Sequence, residues 1–177
     1  MDNSCRTAIT RKQASLPART EIIGALRVFE CQSVLDWGCG KGKDVEFYIE
    51  NGYTAVGYDP AYQPDVIHDE FDMVTCVYVL NVLPPPKRQA CLEQMLARVK
   101  QGGYFCIAAR SPQEIERSKT PLWHPIDDGF MTFTGSFQTG LSALNLIDLV
   151  YLVSTNCIVE GTLDTSKFSY IIGRKIQ

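Results

Sequence analysis

Apolar runs of strand length and apolar positions at helical spacing alternate along most of the chain. Ile22, Ile23, Leu26 and Phe29 recur at helical spacing and predict a helix over residues 20–30 with one buried face. Residues 33–37, Ser-Val-Leu-Asp-Trp, read as a short strand that stops at a glycine loop. A short helix follows, with Val45, Phe47, Tyr48 and Ile49 apolar and Asn51-Gly52 as its stop. Residues 53–60 form a second strand closed by Asp59-Pro60, which completes a strand-helix-strand unit. The polar connection at 61–70 is too short for a full helix and a full strand, and leaves room for a stub of third strand at Val66-Ile67.

Residues 71–80 are apolar almost throughout, as in strands buried on both faces. Prolines at 84–86 then open a helix that puts Cys91, Leu92, Met95, Leu96 and Val99 on one face and is predicted to stop at Gly102-Gly103. Another buried strand is expected at 104–110. This alternation implies an α/β fold of the Rossmann-like doubly wound kind, with a mostly parallel sheet between two layers of helices and a shortened third-strand region. Beyond Arg110 the chain turns polar, is broken by Pro and Gly, and carries scattered aromatics, so residues 111–140 are expected to be a lid or substrate loop. A short helix and two or three closing strands follow, with an antiparallel hairpin at the sheet edge. The expected organisation is one domain over 1–177, a basic arm at 1–19 and a lid at 111–140.

Composition narrows the setting. The net charge of −3 gives no general reason to bind nucleic acid, yet the first 20 residues carry Arg6, Arg11, Lys12 and Arg19 against Asp2 alone. No apolar run approaches the ~20 residues of a membrane-spanning helix. The start of the chain lacks the apolar core of a signal peptide, so a cytoplasmic protein without a membrane partner is expected. Seven cysteines, an odd number without a Cys-x-x-Cys pair, argue against both a disulfide framework and a zinc site. No metal is expected.

The glycine loop carries the chemistry. Gly38, Gly40 and Gly42 permit positive φ and close approach of a ligand, and they sit at the carboxyl end of the first strand, where open α/β sheets bind ligands. Asp59 ends the second strand 21 positions after Gly38, the spacing that sets a carboxylate against ribose hydroxyls. Asp36 stands two residues before the first glycine. A carboxylate there repels a pyrophosphate, an effect Lys41 and Lys43 partly offset, and suits a ligand with an amino group and a sulfonium. The balance favours S-adenosylmethionine over a nicotinamide dinucleotide.

The segments VLDWGCGKG, VGYDP and the stretch from FDMVTC to FCIAAR resemble the successive motifs of the class I S-adenosylmethionine-dependent methyltransferases, over about residues 33–110. The resemblance implies that the first motif holds the methionine end of the cofactor, the acid of the second strand holds the ribose, and the end of the fourth strand faces the transferred methyl. Carried over, these roles fall on Asp36, Gly38, Cys39, Gly40, Asp59, Pro60 and the segment 77–81 beginning at Val77. The family's adenine-side acid has no clear match; His68 is the candidate taken, beside Asp65, Ile67 and Asp69. A narrower resemblance, through RTAITRKQASLPAR, YVLNVLP and GSFQTG, is to a group of bacterial methyltransferases, some associated with DNA phosphorothioation. It implies a bacterial or phage origin.

A sulfonium already activates its methyl group, so the protein's tasks are positioning and exclusion of water. The catalytic candidates are Asn81, whose amide would orient an acceptor, and His124 and Tyr78, with Asp127 and Asp128 as further bases. Each has a plainer role open to it: Asn81 as a helix cap, His124 as a loop residue, Tyr78 as strand packing. Trp123 and Phe130 suit a flat acceptor or simply pin the loop. In the arm, Arg11, Lys12 or Arg19 suits the cofactor carboxylate, and Arg19 is the one assigned to it. The chain has neither the Asn-Pro-Pro-aromatic motif of amino-methylating DNA enzymes nor a Pro-Cys pair, so a small-molecule acceptor is favoured. A nucleic acid met by the arm, a cofactor-binding scaffold without turnover, and a nicotinamide-dependent oxidoreductase are the competing readings.

Overall fold

The computed structural model describes residues 10–176. Six strands form the main sheet: β1 (Ser33–Trp37), β2 (Thr54–Tyr58), β3 (Phe71–Val77), β4 (Val99–Arg110), β8 (Cys157–Asp164) and β9 (Phe168–Lys175). Their spatial order is β2-β1-β3-β4-β9-β8. The first four run parallel, while β9 is antiparallel to both β4 and β8, which makes the hairpin at one edge. The chain leaves β1 for β2 on one side and then returns to place β3 on the other. The sheet therefore changes winding direction at β1, and the crevice beyond its carboxyl end is where such sheets hold ligands.

Alternate residues of the central strands point to opposite faces, and each face has its own core. On one, Leu35, Val74, Phe105 and Ile107 pack with Leu92 and Met95 of α3 (Pro85–Leu96) and with Leu146 and Val150 of α5 (Ala143–Val153). On the other, Val34, Met73, Cys106 and Ile172 pack with Tyr48 of α2 (Lys43–Glu50) and with Ile23 and Leu26 of α1 (Ile23–Val28). Both faces being covered explains why β3 reads as a continuous apolar run. Ser142 and Asn145 form a reciprocal capping box that starts α5.

Four expectations need correction. The first helix begins earlier, with residues 16–28 wound continuously through a π-helical turn at Ala18–Ile22, while Phe29 and Glu30 lie in the turn beyond it. No strand forms at Val66-Ile67; residues 64–70 have no regular structure, and β2 is left as the sheet edge. The Gly102-Gly103 pair does not end α3, which stops at Leu96; it lies inside β4. There Phe71 pairs with Val99 but Met73 pairs with Tyr104, so three extra residues of β4 loop out at the glycines. Gly102 has φ 75°, and a Cβ on Gly103 would stand 3.0 Å from the Asp72 carbonyl oxygen, so a bulge demands glycine as strongly as a helix stop does.

The fourth correction concerns residues 111–140, which are not a plain loop. They hold α4 (Pro112–Ser118), whose Ser111 cap accepts from the Glu114 N–H, and a small antiparallel sheet of β5 (His124–Ile126), β6 (Gly129–Met131) and β7 (Phe137–Gln138). The described cysteines are all free thiols, and Cys5, like Arg6, lies outside the described residues. Among the described residues, no three His, Cys, Asp or Glu side chains are grouped to hold a metal ion, and no helix is long and apolar enough to cross a membrane.

Candidate active site

A cavity of about 900 Å³ opens at the carboxyl ends of β1, β2 and β3. Its floor is the glycine loop. Gly38, Gly40 and Gly42 all have positive φ, at 81°, 55° and 79°. A Cβ on Gly38 would lie 2.3 Å from a Val79 methyl carbon, so close packing against the segment after β3 keeps this residue glycine. The loop is tied to β2 rather than left free. The Gly38 and Cys39 N–H groups donate to the Tyr58 carbonyl at 2.7 and 3.0 Å, and the Gly40 N–H donates to Asp59 Oδ2 at 3.1 Å. Three loop donors are thus already in use, and a pyrophosphate, which needs such donors, finds few of them here.

Carboxylates dominate what remains. Asp36 is 3% exposed, accepts from the Thr75 hydroxyl at 2.8 Å, and faces the cavity. Burial, with the nearby Asp44 charge, raises its pKa to about 7 against the pull of the Thr75 hydroxyl and of Arg11. Asp59 accepts from the Gly40, Ala61 and Tyr62 N–H groups, three of the about four bonds that a carboxylate accepts, so one lone pair remains for a ligand hydroxyl. Burial and the surrounding acids push the Cys39 thiol to about 12, and burial pushes the Tyr78 phenol to about 12 although Arg11 opposes it. Neither ionises near neutral pH.

The arm roofs this end. Asp44, buried in the first turn of α2, accepts from the Ser15 N–H at 2.6 Å and pairs with Arg11 at 3.6 Å. The Arg11 guanidinium lies 5.5 Å from the centre of the Tyr78 ring. Tyr78 itself has φ 61°, an uncommon conformation for an aromatic residue, held by its N–H bond to the Ala108 carbonyl. The opposite wall comes from α3 and the small sheet. Arg88, 3% exposed, donates through Nε to the Leu80 and Leu83 carbonyls and through both terminal nitrogens to Asp128 in the β5–β6 turn. That fork fastens the small sheet over the cavity.

Of the expected site residues, Asp36, Gly38, Cys39, Gly40, Asp59, Pro60, Val77 and Tyr78 all line this cavity. Four do not. Arg19 is exposed and donates to the Ala14 carbonyl, and the arm's contribution comes from Arg11 instead. His68 is exposed, with its carbonyl bound by Arg98. Asn81 is buried outside the cavity, where its side-chain oxygen accepts from the Arg110 N–H at 3.4 Å and its carbonyl from the Thr139 N–H at 2.9 Å. His124 pairs with Met131 on the exposed side of the small sheet. Arg88 and Asp44 were missed. The spacing Arg88, Leu92, Met95, Val99 sets Arg88 on the buried helix face, and that is the signal by which it was legible.

A doubly wound sheet that reverses at a glycine loop, with buried acids at the ends of its first two strands, defines an α/β enzyme of the nucleotide-cofactor class. Over residues 7–137 the sequence matches the family described as a methyltransferase domain, and the chain belongs to that family. No curated protein matches it by sequence. Its fold is similar to that of 1,6-didemethyltoxoflavin-N1-methyltransferase from Burkholderia thailandensis, solved with 1,6-didemethyltoxoflavin and S-adenosylhomocysteine bound, at TM-score 0.68, 14% identity, 90% of this chain and 79% of that one. It is also similar to CalS10, a SAM-bound amino pentose methyltransferase of Micromonospora echinaspora, at TM-score 0.60, 14% identity and 89% of each chain. A S-adenosylmethionine-dependent methyltransferase from Clostridium acetobutylicum matches at TM-score 0.59, 12% identity, 86% of this chain and 88% of that one.

Proposed function

We propose that this methyltransferase transfers a methyl group from S-adenosylmethionine to a small-molecule acceptor within the 900 Å³ cavity. The donor is S-adenosylmethionine, which supplies an electrophilic methyl on a positively charged sulfur. The observation that carries the reading is the pair of buried acids, Asp36 and Asp59, beside a glycine loop whose N–H donors at 38, 39 and 40 are already engaged. That donor set fits a cationic amine, a sulfonium and ribose hydroxyls, and does not fit a pyrophosphate, which argues against the nicotinamide reading.

In this assignment Asp36 accepts from the donor's ammonium group and Asp59 from a ribose hydroxyl. Arg11, already oriented by Asp44, faces the donor's carboxylate. Val77 and Tyr78 border the transferring group, and the Tyr78 phenol, protonated at neutral pH, donates a hydrogen bond rather than taking a proton. The arm above and the small sheet opposite exclude water and align the reactants, which is the main work left once the methyl is activated. Residues 111–140 serve as the lid through that sheet. The small-molecule acceptor is supported by the size of the cavity and by two structural neighbours whose names specify a toxoflavin precursor and an amino pentose.

Calorimetry with S-adenosylmethionine, S-adenosylhomocysteine and NADH tests the donor. The first two should bind at micromolar affinity and NADH should not, with Asp59→Ala weakening binding by about tenfold or more. Tighter binding of NADH, or no binding of either sulfur compound by folded protein, would sink the reading. Arg11→Ala should likewise weaken the donor by about tenfold while Arg19→Ala leaves it unchanged. Turnover of a small acceptor should vary little with salt. A nucleic-acid acceptor met by the basic arm would instead lose affinity steeply as salt rises.

A further inference from the structure

The charged groups of the cavity wall divide into those with a partner and those without. Asp44 is paired with Arg11, and Asp59 is bound by three backbone N–H groups. Lys43 is paired with Glu46, and Lys41 donates to the Thr10 hydroxyl and lies over the Tyr62 ring. Asp36 awaits the donor's ammonium. Two charges remain, both in the half of the cavity away from the glycine loop. The Lys87 ammonium, in the first turns of α3, and the Asp127 carboxylate, in the β5–β6 turn, line the cavity without an ion pair or side-chain hydrogen bond among the described residues.

Their separation is set by their neighbours. Arg88, next to Lys87, is bonded to Asp128, next to Asp127, at 2.5 and 3.0 Å. The same fork that fastens the small sheet therefore holds the backbone at Lys87 and the backbone at Asp127 on the two sides of one junction. The same two elements also give the cavity wall apolar side chains, Ile126 and Met131 with Phe137 from the small sheet and Pro86 from the helix. Asp127 has φ 47°, in the left-handed region that aspartate tolerates better than most residues, within the two-residue turn between β5 and β6.

We propose that the acceptor is a compact molecule with an apolar body, an amine that meets Asp127 and an anionic group that meets Lys87. The proposal rests on the reading of the other half of the cavity as the S-adenosylmethionine site. Each protein charge then gains the opposite charge on the ligand, and the ring or aliphatic body meets the apolar side chains of the wall. A neutral ligand leaves both charges without a counterpart, and a ligand with a single charge satisfies one of them.

The test is calorimetry on the full chain saturated with S-adenosylhomocysteine, titrated with para-aminoethylbenzoate, phenethylamine, para-ethylbenzoate and phenethyl alcohol. The zwitterion should bind about tenfold or more tighter than either singly charged compound, with the alcohol weakest. Lys87→Gln should erase its advantage over phenethylamine, and Asp127→Asn its advantage over para-ethylbenzoate. Both residues are exposed, so neither variant threatens the fold. Equal binding of the alcohol and the zwitterion, or no binding of any of the four while S-adenosylhomocysteine binds, would overturn the proposal. Failure of S-adenosylhomocysteine itself to bind is a separate result, and it removes the donor-site reading together with everything built on it.

Discussion

Asp36→Asn is expected to abolish donor binding at about pH 8, by about a hundredfold or more in affinity, and at the same pH to raise the melting temperature. The two effects share one cause. Asp36 is buried, and its pKa stands near 7 in the folded chain against 3.8 for an ordinary aspartate. Between these values the unfolded chain has released its proton while the folded one still holds it, so stability falls as pH rises through that window. Above about pH 7 the folded protein carries a poorly solvated negative charge awaiting a cation. Asparagine keeps the Thr75 hydrogen bond and removes the charge, which stabilises the empty protein and deprives the donor's ammonium of its counterion. Below about pH 3, where the carboxyl is protonated in both states, the melting temperatures of the two proteins should converge.

The same group sets the pH profile of the wild type. Donor affinity should rise by about tenfold per pH unit up to about 7 and then level, because the ammonium selects the ionised form of Asp36. Calorimetry from about pH 5.5 to 8.5, with scanning calorimetry of both proteins, reads all of this. A flat affinity profile, or an Asp36→Asn protein that binds donor normally, would show that the donor's amine sits elsewhere.

Arg88→Ala is the second large effect, and it should fall on stability and on the acceptor more than on the donor. The arginine supplies four hydrogen bonds from a nearly sealed position, two to carbonyls of the turn after β3 and two to Asp128. Removing it takes a donor from the Leu80 and Leu83 carbonyls, the first of which keeps the Leu83 N–H, and unfastens the small sheet, at a cost of about 3 kcal/mol; the half-exposed Asp128 recovers water and keeps the figure at the low end for a buried ion pair. Hydrogen exchange should accelerate over residues 124–138, and the acceptor KM should rise while donor affinity changes little. Arg88→Lys should not rescue, because an ammonium cannot reproduce a planar fork that reaches three groups at once. Urea unfolding measures the stability term, and an unchanged midpoint for Arg88→Ala would refute the fastening role.

The cofactor end of this site was legible because its determinants are local. Asp36, Gly38, Gly40 and Asp59 sit at strand ends whose positions follow from short apolar runs, and adjacent parallel strands then bring 36 and 59 together without further information. The distant pieces were not legible in the same way. Which arm residue reaches the cavity depends on the turn between Thr10 and Ser15 and on Asp44, and no spacing rule distinguishes Arg11 from Arg19 there. Asn81 and His124 were chosen for their chemistry at plausible positions, yet one is taken up by backbone partners and the other faces away on a strand that was read as loop. Strands of two or three residues, such as β5, β6 and β7, leave almost no periodic signal, and their pairing depends on Arg88, 36 positions upstream of His124. The glycine pair at 102–103 shows the converse difficulty, since a conformation shared by helix ends and bulges is identified by its partner strand alone.

The sheet order has a consequence for how the protein is made. β9, the last strand in the sequence, is inserted between β4 and β8 and is paired along both sides. While residues 168–175 are still inside the ribosome, the long, mostly apolar β4 emerges with one edge unpaired, and β8 has no strand to dock on. A nascent chain stalled just short of that point displays a ready template for another chain's strand. The interval of greatest aggregation hazard therefore runs from the emergence of β4 to that of β9, after the whole cofactor end has already been synthesised.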